Sequence, residues 1–192
     1  ELAYSRHFPA INWLKSYSLY TTQLATSWAH SFSAHTKELA KWWGEKIPQF
    51  DTLRGSALDL LSESAEVESI AKIIGESALP DDQRLVMLTA ELLKEGFLRQ
   101  NAFDDVDAFC EPNKQVMLLD MILDFHAKAE GLVKKHVPIE KILESPVISK
   151  MKRVKEDKHG EMAVVETIKE VDEQLGKISK EYSTDLAVEG DT

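Results

Sequence analysis

The sequence predicts an all-α fold, and three observations carry that prediction. Apolar residues recur at three- and four-residue spacing along most of the chain, and strict apolar/polar alternation is hard to find. Glycine and proline number only eight and six among 192 residues, too few for the many tight turns of a strand-rich protein. A chain of this length accommodates one well-buried domain, or a domain with an appendage.

The elements follow in order. Residues 5–20, SRHFPAINWLKSYSLY, are dense in aromatics without a clean period, and Pro9 interrupts any helix through them. Such a stretch needs other surface to bury against. The chain opens without an initiator methionine, its first being Met87, so residues 1–20 are expected to form a connecting segment entering from a preceding domain. A helical bundle is expected over 21–150. Its first helix spans 21–46, with Leu24, Trp28, Phe32, Leu39 and Trp42 near one stripe, and Pro48 ends it. Asp51 is the expected N-cap of a second helix, able to accept unpaired backbone amides, with Gly75 as its left-handed stop.

Pro80 then stands at a favoured first-turn position, and Asp81 and Asp82 complement the amino-terminal dipole of a third helix that runs to about Gln100, with Leu85, Leu88, Leu92 and Leu93 inward. An acidic stretch over 104–111 precedes Pro112 and a fourth helix. Residues 117–125 of that helix are apolar almost all round and should be the most enclosed. Pro138 and Pro146 bracket two short helical turns. The polar run 150–160 reads as a linker. Val164, Ile168, Val171, Leu175, Ile178 and Tyr182 mark an amphipathic terminal helix, so that 151–182 is expected to be linker plus helix and 183–192 a disordered tail.

Composition removes several function classes. A formal net charge of −10 argues against nucleic acid or an anionic membrane surface as main partner. The single cysteine, Cys110, makes no internal disulfide. No stretch approaches the roughly 20 apolar residues of a membrane span, and no signal peptide is visible. The expected location is cytoplasmic.

Chemistry is constrained mostly by what is missing. There is no glycine-rich phosphate loop, no C-x-x-C, no H-E-x-x-H and no G-x-S-x-G, so neither a catalytic residue nor a metal site is expected. His30 and His35, five apart, fall on different helix faces. Asp104, Asp105 and Asp107 have the composition of a paired acid and base, but a solvated acidic turn capping helix ends is the favoured reading. Lys150, Lys152, Arg153, Lys155 and Lys158 form a diluted charge run read as an ordinary wet linker. The segment GFLRQNAFDDVD, residues 96–107, stands apart. Phe97 and Phe103 flank a helix break at Asn101, and the bend brings two rings within reach of forming a slot for a flat ligand. Two such phenylalanines are more often core packing, and both readings stay open at this level.

The segments LLSESAEVESIAKIIG, ALPDD, FLRQNAFDDVD and EPNKQ, together with SRHFPAINWLKSYSLY, cover most of residues 5–135. In that order they resemble the C-terminal helical domain of the catalytic A subunit of V/A-type rotary ATPases. The resemblance implies a helical lever of an ion-translocating ATP synthase/ATPase whose parent protein uses ATP and Mg, while this fragment alone holds no cofactor and is inactive. It implies that Phe97 and Phe103 line the adenine pocket. It places Glu76, Ser77, Ala78, Leu79, Pro80, Asp81 and Asp82 in the loop facing the rotor, with Ser77 where an acidic residue is usual. The phosphate-binding lysine and catalytic glutamate of the family fall outside these 192 residues. B subunits and the central rotor stalk are the implied partners, a peripheral stalk a further one, and the complex would hold the chain peripheral to the membrane. A hinge is expected at Arg6, Phe8 and Pro9. Two other readings stand beside this one: a self-standing helical interaction module with 164–182 as its dimer seam, or the non-catalytic B subunit of the same machine.

Overall fold

Hydrophobic periodicity of the kind described above becomes seven helices in the computed structural model, which describes residues 36–101 and 103–189 and the strand pairs Ile11–Asn12 and Phe32–Ser33. The expected hinge residues Arg6, Phe8 and Pro9, and His30 and His35, lie outside the described residues. The chain divides into two compact units, residues 1–62 and 63–192.

In the first unit, β1 (Ile11–Asn12) pairs antiparallel with β2 (Phe32–Ser33), Ile11 opposite Ser33. The helix expected over 21–46 therefore does not include Phe32. Helix α1 covers Thr36–Lys46 and stops two residues before Pro48, as a proline requires. Its half-buried aromatic is Trp43, whereas Leu39 and Trp42 of the expected stripe are exposed. Trp43 stacks on Phe50 with ring centroids 4.0 Å apart, and Trp42 meets its edge at 4.8 Å. That stack explains a second correction. Phe50 is drawn into the helix, its N–H donating to the Ile47 carbonyl, so α2 (Phe50–Ile74) starts before Asp51, which sits in the first turn and is not the cap.

The second unit holds most of the buried apolar residues. After α2, Gly75 takes φ 87°, the left-handed conformation glycine adopts without a Cβ penalty, and a 3-10 turn follows over Glu76–Ala78. Helix α3 (Asp81–Leu92) buries Leu85, Leu88 and Leu92, and continues as a π-turn over Leu93–Leu98. Helix α4 (Pro112–Val133) begins with Pro112 in the first turn, as expected, and is the central element, packing on α3, on the π-turn and on α7 (Glu161–Glu189). Its Ile122, Phe125 and Ala129 are fully enclosed. Replacing a phenylalanine so placed by alanine costs about 3–5 kcal/mol, because the cavity left cannot fully collapse.

Two short helices, α5 (Ile139–Leu143) and α6 (Val147–Arg153), follow Pro138 and Pro146. The polar run 150–160 is not an open linker: it contains the end of α6 and a 3-10 turn, Val154–Glu156, and Met151, Val154 and Lys155 are buried. Polarity misled there because Lys150 and Lys152 reach surface carboxylates, Glu170 at 2.5 Å and Glu91 at 2.6 Å, while Met151 between them faces the core. Helix α7 buries Val164, Thr167, Val171, Leu175 and Ile178. It also extends past Ser183, where a disordered tail was expected, to Glu189.

A polar pair of buried Thr89 and half-buried His126 joins α3 to α4. The Thr89 hydroxyl donates to the Leu85 carbonyl at 2.9 Å, so it is left to accept from His126, whose Nδ1 lies 2.8 Å away. The ring therefore carries its proton on Nδ1 when neutral. Burial holds the His126 pKa below the ordinary imidazole value of 6.5; Glu130 and Glu63 oppose that shift and Lys134 adds to it. The native state thus favours neutral imidazole, and the unfolded chain takes up the proton first as pH falls below 6.5. Stability contributed by this site is complete above that pH and declines beneath it. Urea unfolding of the chain should show a lower midpoint at pH 5.5 than at pH 7.5, and His126→Gln should remove part of that difference.

Candidate functional site

The aromatic loop is built by the end of α3. Within the π-turn the Arg99 N–H donates to the Lys94 carbonyl at 2.8 Å, a five-residue step that widens the helix, and Arg99 then leaves in an extended conformation. Gly96 lies within this turn. A Cβ there would stand 3.1 Å from the Met151 carbonyl oxygen of α6, so the two backbones touch only because the side chain is absent.

From Arg99 the chain enters a loop fastened by its own polar groups. Asp104 Oδ1 accepts the N–H of Val106 and of Asp107, both at 2.9 Å, and Asn101 Oδ1 accepts the Phe103 N–H at 3.1 Å. Gln100 donates to the Asp107 carbonyl at 2.6 Å, and Gln115 from α4 to that of Cys110 at 2.7 Å. The bonds from the Asp107 and Val106 amides, in that order, hold the Asp104 carboxyl below its usual pKa. Burial pushes the Cys110 thiol up.

Beneath the loop lies a buried ionic cluster. Asp107 is 4% exposed and accepts the Asn101 N–H on Oδ2 at 2.6 Å. The ammonium of Lys155, 5% exposed, lies 3.6 Å from the same oxygen and donates to the Arg99 carbonyl. Lys114, equally buried, donates to the Lys155 carbonyl at 2.6 Å. The expectation of a solvated acidic turn is thus corrected for Asp107. Nor do these carboxylates form an acid–base pair, since Asp104 is occupied by backbone amides and Asp107 by an ammonium.

The loop presents rings to solvent. Phe103 is 99% exposed and Phe109 is 87% exposed, while Phe97 is half-buried on the π-turn. A ring so exposed touches nothing, so Phe97 and Phe103 do not stack face to face in this chain. Sequence reasoning found Phe97 and Phe103 but missed Phe109, Asp107 as a buried anion, Gly96, and both lysines.

The other candidate, the loop at the opposite end of α3, is anchored at its middle and open at its rim. Leu79 is buried against Val67 and Ala71 of α2, with Met87 alongside. Asp81 accepts the Ile139 N–H of α5 at 3.2 Å and pairs with Arg84 at 3.5 Å, and Arg84 also pairs with Glu140. Glu76, Ser77, Ala78, Pro80 and Asp82 are exposed, beside Ile70, Ile74 and an 84% exposed Ile73.

No group of three or more His, Cys, Asp or Glu side chains able to hold a metal ion occurs among the described residues. No described helix is long and apolar enough to cross a membrane.

Overpacking the closest contact tests the loop's support. Gly96→Val must displace α6 and should lower stability by about 1–3 kcal/mol in chemical denaturation, with amide protection lost first over residues 99–107.

Comparison with known proteins shows the family of the chain. The family described as the C-terminal domain of V and A type ATP synthase matches residues 40–143, more than half of the chain. The chain is similar to the A subunit of the A-type ATP synthase of Thermofilum pendens, 46% identical over 191 residues, which is 100% of this chain and 30% of that protein. It is likewise similar to the corresponding protein of Methanopyrus kandleri, 38% identical over 95% of this chain and 29% of the relative, and of Thermococcus onnurineus, 37% identical over 95% and 28%. It spans about three tenths of the length of these curated relatives. An all-helical unit matched in this way by the family's C-terminal domain, and similar throughout to these A-type relatives, belongs to the C-terminal domain family of V- and A-type ATP synthases.

Proposed function

We propose that this chain is the helical lever of the catalytic subunit of a V/A-type rotary ATP synthase/ATPase. It contributes Phe97 and Phe103 to the adenine pocket and couples nucleotide chemistry to rotation. The observation that carries the reading is Phe103, fully exposed at the tip of a loop whose backbone is held on both sides. A ring displayed that way offers a flat face to a purine, with Phe97 on the π-turn as a second wall once the nucleotide-binding domain of the parent protein covers the loop. Mg and the phosphates are held elsewhere in the parent, since this chain has no phosphate loop.

The loop of Glu76 to Asp82 is proposed as the rotor contact. Its support is mechanical: Leu79 and Asp81 pin it to α2 and α5, so a push on its exposed rim is passed to the bundle. B subunits complete the ring around the rotor stalk, a peripheral stalk adds a further contact, and the residues around Arg6, Phe8 and Pro9 act as hinge. The assembly holds the chain beside the membrane on its cytoplasmic face.

The interaction-module reading loses its main feature. Val164, Val171, Leu175 and Ile178, its expected dimer seam, are buried within the same unit, with α7 against α4.

Stacking on an aromatic is worth about 1–3 kcal/mol per base, and even the upper value alone corresponds to a Kd weaker than roughly 1 mM. The isolated chain should therefore show no ATP binding in calorimetry at micromolar concentrations and no turnover. In the assembled complex Phe103→Ala should lower kcat/KM for ATP by about 5- to 150-fold. An unchanged value would remove Phe103 from the pocket.

A further inference from the structure

We propose that Lys155 is a positioning residue for adenine recognition, its buried ammonium holding the loop that presents Phe103. This rests on the reading of Phe103 as an adenine contact and goes beyond it, because Lys155 is remote in sequence and touches no ligand.

The argument begins with what Phe103 lacks. Its side chain is 99% exposed, so no neighbour orients it; its direction comes from the loop backbone alone. Besides the bonds made by Asp104, Gln100 and Gln115, that backbone is held through one buried charge. The Phe103 N–H donates to Asn101 Oδ1, the Asn101 N–H donates to Asp107 Oδ2, and Asp107 Oδ2 lies 3.6 Å from Lys155 Nζ. Lys155 also donates to the Arg99 carbonyl, 56 residues away in sequence. The residues before Phe103 and the residue that closes the loop after it thus converge on a single ammonium. Lys155 is itself held, since its carbonyl accepts from Lys114 on α4.

Stability alone does not call for a lysine here. Buried ion pairs are commonly replaced by apolar residues of similar volume with no loss, or with a gain, because desolvation offsets their attraction. Lysine is almost never fully buried unless paired. A methionine would fill the same space beneath the loop, but it would not hold the Arg99 carbonyl and the Asp107 carboxylate in fixed relation. What the ammonium adds is direction.

The test uses the full-length catalytic chain within its assembled complex, with ATP as the probe. Lys155→Met should raise KM for ATP about fivefold or more, toward the effect of losing one stacking contact, while kcat changes by less than about twofold. Asp107→Asn keeps an acceptor for the Asn101 N–H but not the charge; it should raise KM in the same direction, and it decides the question if Lys155→Met fails to assemble. A double variant gives the sharpest reading. If Lys155 acts through the Phe103 ring, Lys155→Met adds nothing to KM once Phe103→Ala is present.

Phe103→Ala measured alone separates the two ideas. A raised KM there with a normal KM for Lys155→Met, even at lowered thermal stability, overturns the positioning role and leaves the adenine contact standing. Fully additive effects in the double variant overturn it as well. An unchanged KM for Phe103→Ala overturns the adenine reading itself.

Discussion

A protonated amine sits inside a helical unit only if its charge is matched and its protons are used, and this requirement at Lys155 organises much of the second unit. Its ammonium meets Asp107 and the Arg99 carbonyl, and its backbone carbonyl takes the Lys114 ammonium. These contacts join four stretches of chain: the end of the π-turn, the loop at Asp107, the start of α4 and the 3-10 turn after α6. Removing one partner of such a pair strands the other charge, at a cost of about 3–5 kcal/mol. The loop over 99–111 is therefore a firm part of the unit although its two phenylalanines face solvent. The close approach of Gly96 to the Met151 carbonyl serves the same end, bringing α6 near enough for Lys155 to reach under the loop.

Around this cluster the apolar core supplies stiffness. Ile122 and Phe125 of α4, Leu92 and Leu93 of α3 and its π-turn, Met151 of α6 and Val164 of α7 are all essentially inaccessible to water. Interiors packed to crystal-like density transmit displacement instead of absorbing it. Ion pairs along the surface, such as Lys128 between Asp124 and Asp172, bridge α4 to α7, but exposed pairs contribute little each.

What could be read from the chain in advance was local. Gly75 as a helix stop, Pro112 in a first turn, Pro138 and Pro146 before short helices, and the inward leucines of α3 all follow from caps, breakers and periodicity within a few residues. The failures were of longer range. Asp51 lost the capping role because Trp43 stacks on Phe50 and starts α2 earlier. The run 150–160 looked like a wet linker because its composition is charged, yet Lys155 is partnered by groups 41 and 56 residues away. No pattern along one stretch reveals such a pairing. Phe103 was legible as a candidate only because two aromatics flank a break; its exposure, and that of Phe109, became visible only when the loop had a shape.

The two candidate sites are linked by a single continuous element. The loop ending at Asp82 leads into the first turn of α3, and the aromatic loop begins where the π-turn ends. From Asp81 to Leu98 the helix rises about 25 Å at 1.5 Å per residue. On the proposed adenine contact, a stacked base would load the aromatic loop at Phe103, and the Lys155 cluster would keep that loop from yielding by itself. The proposed lever then requires that displacement to be shared with α4 and α6, and passed along α3 to a loop pinned by Leu79 and Asp81. A flexible aromatic loop would close on the purine just as readily, but it would leave the far end of α3 where it was. The costly burial of Lys155 makes physical sense if the loop's task is to bind and to pull at once.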